Sequence, residues 1–254
     1  MKRSPGKVFL VGAGPGAPDL ITLRGAEVLK RADIVFHYAL VHPEVLALAS
    51  CAEKIAVGKR CGKFTTAQQF INKRLVDAAR KYRVVVRLKG GDPMLFGRAQ
   101  EEIAALEAAA VPYEVVPGVT SALAAAAETG FSLTQRGIAR TVAFVTPRVG
   151  AGEASSNWAS SAASADTAVI YMGAGQAEEV AAALIAAGAP RDTPVLVAEN
   201  ATLPESRRIA LTLKELPQIA EHGLTGPTLI MIGRVFGAAL AANEEEAQRK
   251  YAQA

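Results

Sequence analysis

The chain has 254 residues, of which 50% are hydrophobic and 20% are charged, and its formal net charge is +4. This length and composition indicate a soluble globular protein with a core large enough for one or two domains. No apolar stretch approaches the roughly 20 residues that a membrane-spanning helix needs, and the apolar run near the amino terminus is too short for a signal peptide. We therefore expect a cytoplasmic protein without a membrane partner.

The residue types that commonly bind metal ions are few and scattered. Cys51 and Cys61 form no Cys-x-x-Cys pair, and the three histidines show no ligand spacing. We therefore expect neither a metal site nor a disulfide framework. The basic net charge suits an anionic ligand, although a solvated surface accounts for it equally well.

Strands and helices alternate along the first half of the chain. Runs rich in β-branched residues predict strands at 7–11, 33–36, 54–57, 83–89 and 113–116. Helices are predicted between and after them, at 19–31, 43–50, 66–81 (entered through a capping-box pattern), 99–109 and 120–128. This alternation favours an α/β fold with a largely parallel sheet.

The regular pattern lapses at 131–140, before a new β-branched run at 141–146. We place a domain boundary there, which gives an N-terminal α/β domain at 1–137 and a C-terminal α/β domain at 138–254. The second domain is predicted to contain a loop with a short helix at 150–165, strands at 168–172, 195–198, 208–211 and 228–232, a helix at 177–187, and a surface helix or frayed tail at 238–254. Both domains are therefore predicted to be α/β.

Three turns that expose the backbone follow predicted strands of the first half, at 12–16, 90–93 and 117–121. The carboxyl ends of parallel strands meet at one edge of a sheet, so these turns can line one crevice; three ordinary connections are the alternative. The first turn superficially matches a dinucleotide fingerprint. Pro15 removes an amide from it, and the second strand ends near Tyr38 without the acidic residue that binds a ribose, which disfavours a nicotinamide-dependent oxidoreductase.

Seven runs of the sequence carry a resemblance to a known family. In chain order they are VGAGPGAPDLITLRGAEVLKRAD, VVRLKGGDPMLFGRAQEE, EVVPGVTSALAA, LTQRG, AVIYMG, PVLVAENAT and GPTLIMIGRV. In this order and spacing they resemble the tetrapyrrole (corrin/porphyrin) methylase family over about residues 7–236. The resemblance implies two α/β domains with the active site in the cleft between them, S-adenosylmethionine as the methyl donor, and a homodimer.

The resemblance also implies which residues serve the reaction. Contacts to S-adenosylmethionine, mostly through backbone atoms, are implied for Pro15, Gly90, Gly91, Asp92, Thr120, Ser121, Met172, Ala201 and Thr228. Catalytic positions are implied for Arg98, Glu101 and Arg136. For Arg98 and Glu101 the alternative is an ordinary surface ion pair between residues three apart on a helix.

The implied reaction is the methylation of uroporphyrinogen III at C2 and C7, which gives precorrin-2 through precorrin-1. The carboxylates of this substrate are expected to bind basic residues, namely Arg98, Arg136 and one or more of Lys59, Arg60 and Lys63. A related enzyme that methylates a later corrin precursor and a tetrapyrrole-binding protein without activity are the alternatives. An RNA-methylating relative is disfavoured, because no basic stripe is interleaved with aromatic residues, and we expect no nucleic-acid partner.

The chain departs from the usual family pattern at three positions. Ala17 stands where the first turn usually has an aspartate, Tyr38 where the second strand is usually followed by an aspartate, and Arg148 where a histidine is common. We expect these changes to affect substrate choice and turnover more than cofactor binding.

Overall fold

The computed structural model describes residues 5–38, 40–57, 68–150 and 156–242. The chain divides into two compact units, Met1–Ser121 and Ala122–Ala254. Each unit contains one five-stranded sheet flanked by helices, which confirms the predicted α/β class. No helix within the described ranges has both the length and the apolar character to cross a membrane.

The first unit is built around a parallel sheet. Its strands are β1 (Lys7–Gly12), β2 (Ile34–His37), β3 (Glu53–Ala56), β4 (Val84–Lys89) and β5 (Tyr113–Val116). They lie in the order β3-β2-β4-β1-β5, and every pairing between them is parallel, as predicted. The helices of this unit are α1 (Leu23–Lys30), α2 (Pro43–Ala47), α3 (Gln68–Ala79) and α4 (Ala99–Ala108), with a short 3-10 helix at Pro18–Leu20.

Helices cover both faces of this sheet because its central strands are mostly apolar and are buried on both sides. Successive residues of a strand point to opposite faces. Val85 accordingly packs with residues of α3 and α4, whereas Val86 and Leu88 pack with residues of α1 and α2. The predominance of apolar residues in β4 is therefore explained by its central place in a two-sided core.

The second unit contains a mixed sheet. Its strands are β6 (Val142–Val145), β7 (Thr167–Tyr171), β8 (Pro194–Glu199), β9 (Arg207–Thr212) and β10 (Thr228–Gly233). They lie in the order β6-β7-β10-β8-β9, and only the β6–β7 pair is parallel among the described pairings. The helices are α5 (Ser121–Thr129), α6 (Trp158–Ser164) and α7 (Ala177–Ala186), with 3-10 helices at Ala174–Gln176, Leu213–His222 and Arg234–Phe236.

The alanine-rich helix α5 belongs with the second unit. Ala122, Ala125 and Ala126 pack in the same core cluster as Leu196 and Met231, which lie on β8 and β10. The division between the units therefore falls before Ala122, earlier than the predicted boundary at 137/138. The assignment of 1–137 and 138–254 as independent domains stays a prediction.

Some predicted features differ from the structure or fall outside its described ranges. The helix predicted at 19–31 is shorter, because Thr22 caps α1 by accepting a hydrogen bond from the Gly25 amide at 3.1 Å. The 3-10 helix Leu213–His222 was not predicted, although Thr212 and Glu215 form a capping box at its start. The capping-box residues Thr66 and Ala67 and the tail at 243–254 lie outside the described residues.

Candidate functional site

The connections that leave β1 and β4 diverge at the carboxyl edge of the first sheet. The chain leaves β1 toward β2 on one side of the sheet, and it leaves β4 toward β5 on the other. The helices that follow the two strands, α1 and α4, accordingly pack on opposite faces. Open parallel sheets bind ligands at the carboxyl ends of strands where the connections diverge in this way.

The three predicted turns meet at this edge through their backbones. The Gly91 amide donates to the Gly14 carbonyl oxygen at 2.7 Å. A Cβ atom added to Gly12 would lie 2.6 Å from the Gly118 Cα, and one added to Gly118 would overlap the Gly91 carbonyl oxygen. No larger residue fits at Gly12 or Gly118 without moving the backbone, so glycine is required there for close approach.

The other predicted cofactor residues of the first unit lie around this junction. A Cβ atom on Gly91 would lie 3.9 Å from the Thr120 Cα and 4.0 Å from the Ser121 nitrogen, whereas one on Gly90 would meet nothing within 4 Å. Pro15 follows Gly14 directly and is half-buried. The structure therefore brings together the six predicted residues of this unit, and Gly90 leaves open space beside exposed backbone.

Asp92 connects the second turn to the third. Its Oδ1 accepts a hydrogen bond from the Met94 amide at 2.8 Å, and its Oδ2 accepts one from the Gly118 amide at 2.9 Å. The carboxylate thus closes its own turn and fixes the distance to the neighbouring one. Its predicted contact with the cofactor stays a prediction.

Arg98 and Glu101 form a bidentate ion pair at the start of α4. The Nε and Nη2 atoms of Arg98 donate to the two carboxylate oxygens of Glu101 at 2.6 and 2.8 Å. Their side chains are 57% and 48% exposed, and the hydrogen bond from Arg98 lowers the pKa of Glu101. The pair has the geometry of a surface i,i+3 ion pair, so its predicted catalytic role stays a prediction.

A buried ionic cluster lies beside that pair, and sequence reasoning did not find it. Arg87 Nε and Lys89 Nζ donate to the two oxygens of Glu102 at 2.9 and 2.8 Å, and all three side chains are at most 1% exposed. The Gln68 amide donates to the same carboxylate at 3.1 Å. Burial lowers the pKa of Lys89. Two charges at alternate positions of an otherwise apolar strand were the signal available in the sequence.

Tyr38 packs against the two cations of this cluster. The Arg87 guanidinium carbon lies 4.0 Å from the centre of the Tyr38 ring, and the Lys89 Nζ lies 5.8 Å from it. Arg87 Nη2 is buried and has no hydrogen-bond partner among the described residues. At the position where the family usually has a carboxylate, this chain therefore supplies an aromatic face to two buried cations.

In the second unit, Met172 and Thr228 lie at the same edge of the sheet. Tyr171, the last residue of β7, pairs with Leu229 of β10, so the neighbouring residues Met172 and Thr228 are adjacent. Met172 has a left-handed backbone with φ of 57° and is 44% exposed. A non-glycine residue in this conformation at the end of a strand is uncommon and directs its side chain out of the sheet pattern.

Ala201 joins these two residues at that edge. Glu199, the last residue of β8, pairs with Thr228, and the Asn200 amide donates to the Pro227 carbonyl oxygen at 2.9 Å. Ala201 follows directly and is buried. The three predicted cofactor residues of the second unit are therefore brought together, independently of those in the first.

Two further arginines of the second unit are exposed. Arg136 lies in a short loop that is closed by reciprocal backbone hydrogen bonds between Gln135 and Ala139 at 3.0 and 2.8 Å. The backbone of Arg148 donates to Thr146 Oγ1 at 3.2 Å. Both side chains are therefore available to bind an anion at the surface.

The remaining expectations concern metals and basic residues. No group of three or more histidine, cysteine, aspartate or glutamate residues that could hold a metal ion occurs in the described part of the chain.

Ala17 precedes the 3-10 helix Pro18–Leu20, and its carbonyl oxygen accepts a hydrogen bond from the Leu20 amide at 3.2 Å. The basic residues Lys59, Arg60 and Lys63 lie outside the described residues.

Comparisons with known proteins agree with this arrangement. Residues 7–217 match the model of the tetrapyrrole (corrin/porphyrin) methylases. The siroheme synthase of Zymomonas mobilis is 44% identical over 233 residues, which is 91% of this chain and 49% of that protein. The chain thus spans about half the length of the curated relatives it matches.

Solved structures resemble the chain over nearly its whole length. The native uroporphyrin III C-methyl transferase of Thermus thermophilus has a TM-score of 0.81 and 40% identity, and the match covers 92% of this chain and all of that one. A second structure of the Thermus enzyme, in complex with S-adenyl homocysteine, has a TM-score of 0.80 and 39% identity. A cobalt precorrin-4 methyltransferase has a TM-score of 0.79 and 30% identity, with 90% and 95% of the two chains covered. The chain belongs to the tetrapyrrole (corrin/porphyrin) methylases.

Proposed function

We propose that the protein is an S-adenosylmethionine-dependent C-methyltransferase that methylates uroporphyrinogen III at C2 and C7 and releases precorrin-2. One observation carries the proposal: the three turns converge around Gly12, Gly91 and Gly118 at the diverging edge of a parallel sheet. They do so in a chain that is 40% identical to a uroporphyrin III C-methyl transferase over that enzyme's full length.

The residues at this junction fit S-adenosylmethionine. Gly90 leaves open space where any other residue would place a Cβ atom, and Gly91 has Thr120 and Ser121 as its nearest neighbours there. Such a side-chain-free surface lets a ligand approach backbone amides and carbonyl groups closely. In the second unit Met172, Ala201 and Thr228 are proposed as further contacts. When bound, S-adenosylmethionine supplies an activated methyl group on a sulfonium.

The protein's main task in such a reaction is to position the substrate. Transfer of the methyl group to a ring carbon would require an in-line approach of about 3 Å, and the macrocycle would then lose a proton from another position, because the methylated carbon carries none. Arg98 is proposed to bind a substrate carboxylate through charge-assisted hydrogen bonds. Glu101 accepts two hydrogen bonds from Arg98 and is proposed to orient the guanidinium; the same bonding lowers the pKa of Glu101. Arg136 is proposed as a second carboxylate-binding residue.

A second candidate is a relative that methylates a later corrin precursor. The 30% identity to a cobalt precorrin-4 methyltransferase supports it. Tyr38 also supports it, because a neutral ring, 4.0 Å from the Arg87 guanidinium carbon, replaces the negative charge of the family's usual aspartate. A third candidate, binding of a tetrapyrrole without methyl transfer, rests on all three departures from the family pattern, Ala17, Tyr38 and Arg148.

One experiment separates the three candidates. The purified protein is incubated anaerobically with methyl-labelled S-adenosylmethionine and either uroporphyrinogen III or a later corrin precursor. We expect labelled mono- and dimethylated products from uroporphyrinogen III. Label only in the later precursor would favour the second candidate, and binding of the macrocycle without label would favour the third. Either result would overturn the proposed function.

Three further expectations stay predictions. They are a homodimeric assembly, a cytoplasmic location, and a ligand site in a cleft between domains. Analytical ultracentrifugation of the purified chain tests the first of them directly.

A further inference from the structure

We infer that Glu102 is a positioning residue for the proposed methyl transfer, because it closes residues 90–101 into one shape and so orients Arg98. The inference rests on the proposed function. Residues 90–101 contain both the turn assigned to the cofactor and the ion pair assigned to the substrate. Lys89 and Glu102 flank this segment and are joined by a hydrogen-bonded ion pair of 2.8 Å.

The segment has a backbone that must be held in place. Gly91, Phe96 and Arg98 have φ angles of 65°, 51° and 56°, in the left-handed region that residues other than glycine rarely adopt. Two of the three residues are not glycine. Strained conformations of this kind persist only where the surroundings determine them.

Lys89 supports the segment at a second point. A Cβ atom added to Gly97 would lie 2.5 Å from the Pro93 carbonyl oxygen and 3.1 Å from the Lys89 Cε. The segment therefore folds back onto the aliphatic part of Lys89, while the ammonium group of the same residue binds Glu102. The buried Lys89 side chain thus lies against the segment near Gly97 and also binds Glu102, the residue that follows the segment.

Two side chains of helix α3 donate hydrogen bonds to the first turn of α4. Gln68 donates to Glu102 Oε1 at 3.1 Å, and Asn72 donates to the Glu101 carbonyl oxygen at 3.0 Å. With Arg87 and Lys89, the Glu102 carboxylate therefore accepts three donors from two elements of the fold. These bonds fix the first turn of α4, from which the Arg98–Glu101 pair projects.

The cofactor turn, residues 90–93, is held by hydrogen bonds of its own. Asp92 binds the Gly118 amide and Gly91 binds the Gly14 carbonyl oxygen, and neither bond involves Glu102. Loss of the Glu102 contacts is therefore expected to disturb Arg98 more than the cofactor turn. This difference separates a positioning role from a general role in folding.

Two altered proteins test the inference. Glu102→Gln keeps the shape of the side chain and removes its charge. The triple variant Arg87→Met, Lys89→Met, Glu102→Leu removes all three charges together, and such apolar replacement of a buried ionic cluster often preserves stability. Glu107→Gln is the matched control, since Glu107 is an exposed residue of the same helix that accepts a hydrogen bond from the Tyr113 hydroxyl at 2.7 Å.

We expect both variants to remain folded by circular dichroism and to lose about 10- to 100-fold in kcat with uroporphyrinogen III, the scale of effect of a small misplacement of catalytic groups. The Kd for S-adenosylhomocysteine, measured by calorimetry, is expected to stay unchanged. Amides of residues 94–101, beyond the cofactor turn, are expected to exchange hydrogen faster in both variants. The control is expected to match the unaltered protein in all three measurements.

Unchanged kcat in the folded triple variant would overturn the inference. An equal loss of kcat and of S-adenosylhomocysteine binding would also overturn it, because the role of Glu102 would then be a general structural one. If the unaltered protein transfers no methyl group, the proposed function fails, and with it the catalytic part of the inference. The exchange rates of residues 94–101 still decide whether Glu102 holds the segment.

Discussion

Two neighbouring glutamates on α4 meet opposite environments. Glu101 is 48% exposed and pairs with Arg98 at the surface, whereas Glu102 is fully buried between Arg87 and Lys89. At the surface, Arg98 can exchange the Glu101 carboxylate for a ligand carboxylate, because water can then form the hydrogen bonds that Glu101 loses. Glu102 cannot give up Arg87 or Lys89 in this way, because a buried charge would then be left unpaired. Access to solvent, rather than residue type, thus separates a group suited to binding from one suited to positioning.

The largest expected effect is on the buried member of this comparison. Glu102→Ala leaves Arg87 and Lys89 without their shared carboxylate, so the free energy of unfolding is expected to fall by about 3–5 kcal/mol. Urea denaturation measures this change. Glu107→Ala on the exposed side of the same helix is expected to lower it by less than about 1 kcal/mol. Equal losses of unfolding free energy in the two variants would show that burial does not decide how much these glutamates stabilise the fold.

The next largest effect is on the exposed pair and on activity. Arg98→Ala is expected to lower kcat by about 100-fold, or about 2.7 kcal/mol, because the substrate loses a charged partner. Binding of S-adenosylhomocysteine is expected to stay unchanged in calorimetry. Arg80→Ala is the control, since Arg80 forms a comparable surface pair with Asp77 at 3.2 Å. Full activity of the Arg98 variant would exclude Arg98 from the site.

A smaller effect is expected from the aromatic partner of the buried cations. Tyr38→Leu removes the ring that lies 4.0 Å from the Arg87 guanidinium, and the free energy of unfolding is expected to fall by about 1–2 kcal/mol. Tyr38→Phe retains the ring and is expected to unfold at the same urea concentration as the unaltered protein. A loss in the phenylalanine variant as large as that in Tyr38→Leu would contradict the role of the ring.

The smallest effect concerns the pH dependence of the exposed pair. The pKa of Glu101 is lowered from its ordinary value of 4.5, first by its hydrogen bond with Arg98. Its contribution to stability is therefore fully present above pH 4.5 and is lost as pH falls through the lowered pKa. For so exposed a pair the contribution is expected to be below about 0.5 kcal/mol.

Urea denaturation of the unaltered protein and of Glu101→Gln, compared at several acidic and neutral pH values, measures this contribution. The stability difference between the two proteins is expected to shrink as the solution becomes more acidic. A difference that grows toward acid would reverse the sign of the effect.

Sequence patterns predicted the first unit well because its central strands are mostly apolar and buried. The run VVVRLK of β4 stands out from its polar surroundings, and the turns that follow such strands must meet at one edge. The convergence of Gly91 and Gly118 could therefore be anticipated. The hydrogen bond from the Gly118 amide to Asp92 could not, because it joins residues 26 positions apart through one rotamer.

The sequence was less informative where tertiary contacts decide the outcome. Alternation of strands and helices does not distinguish the parallel first sheet from the mostly antiparallel second one. The alanines of α5 show no preference for one core over another, so their packing with residues of β8 and β10 could not be anticipated from the sequence. Arg87, Lys89 and Glu102 were overlooked because charged residues are rarely buried unless they are paired, and the pairing spans two elements.

The junction of Gly12, Gly91 and Gly118 limits how the protein can be engineered. Its dimensions depend on covalent backbone geometry, since no side chain separates the three turns. Substitutions at Gly12 or Gly118 cannot adjust the space gradually, because the first added carbon already overlaps its neighbour. Met94 and Phe96 lie in the segment that follows the second turn, and their side chains are exposed. A search for variants with altered ligand preference is therefore better directed at these two side chains, which can change in size while the junction keeps its shape.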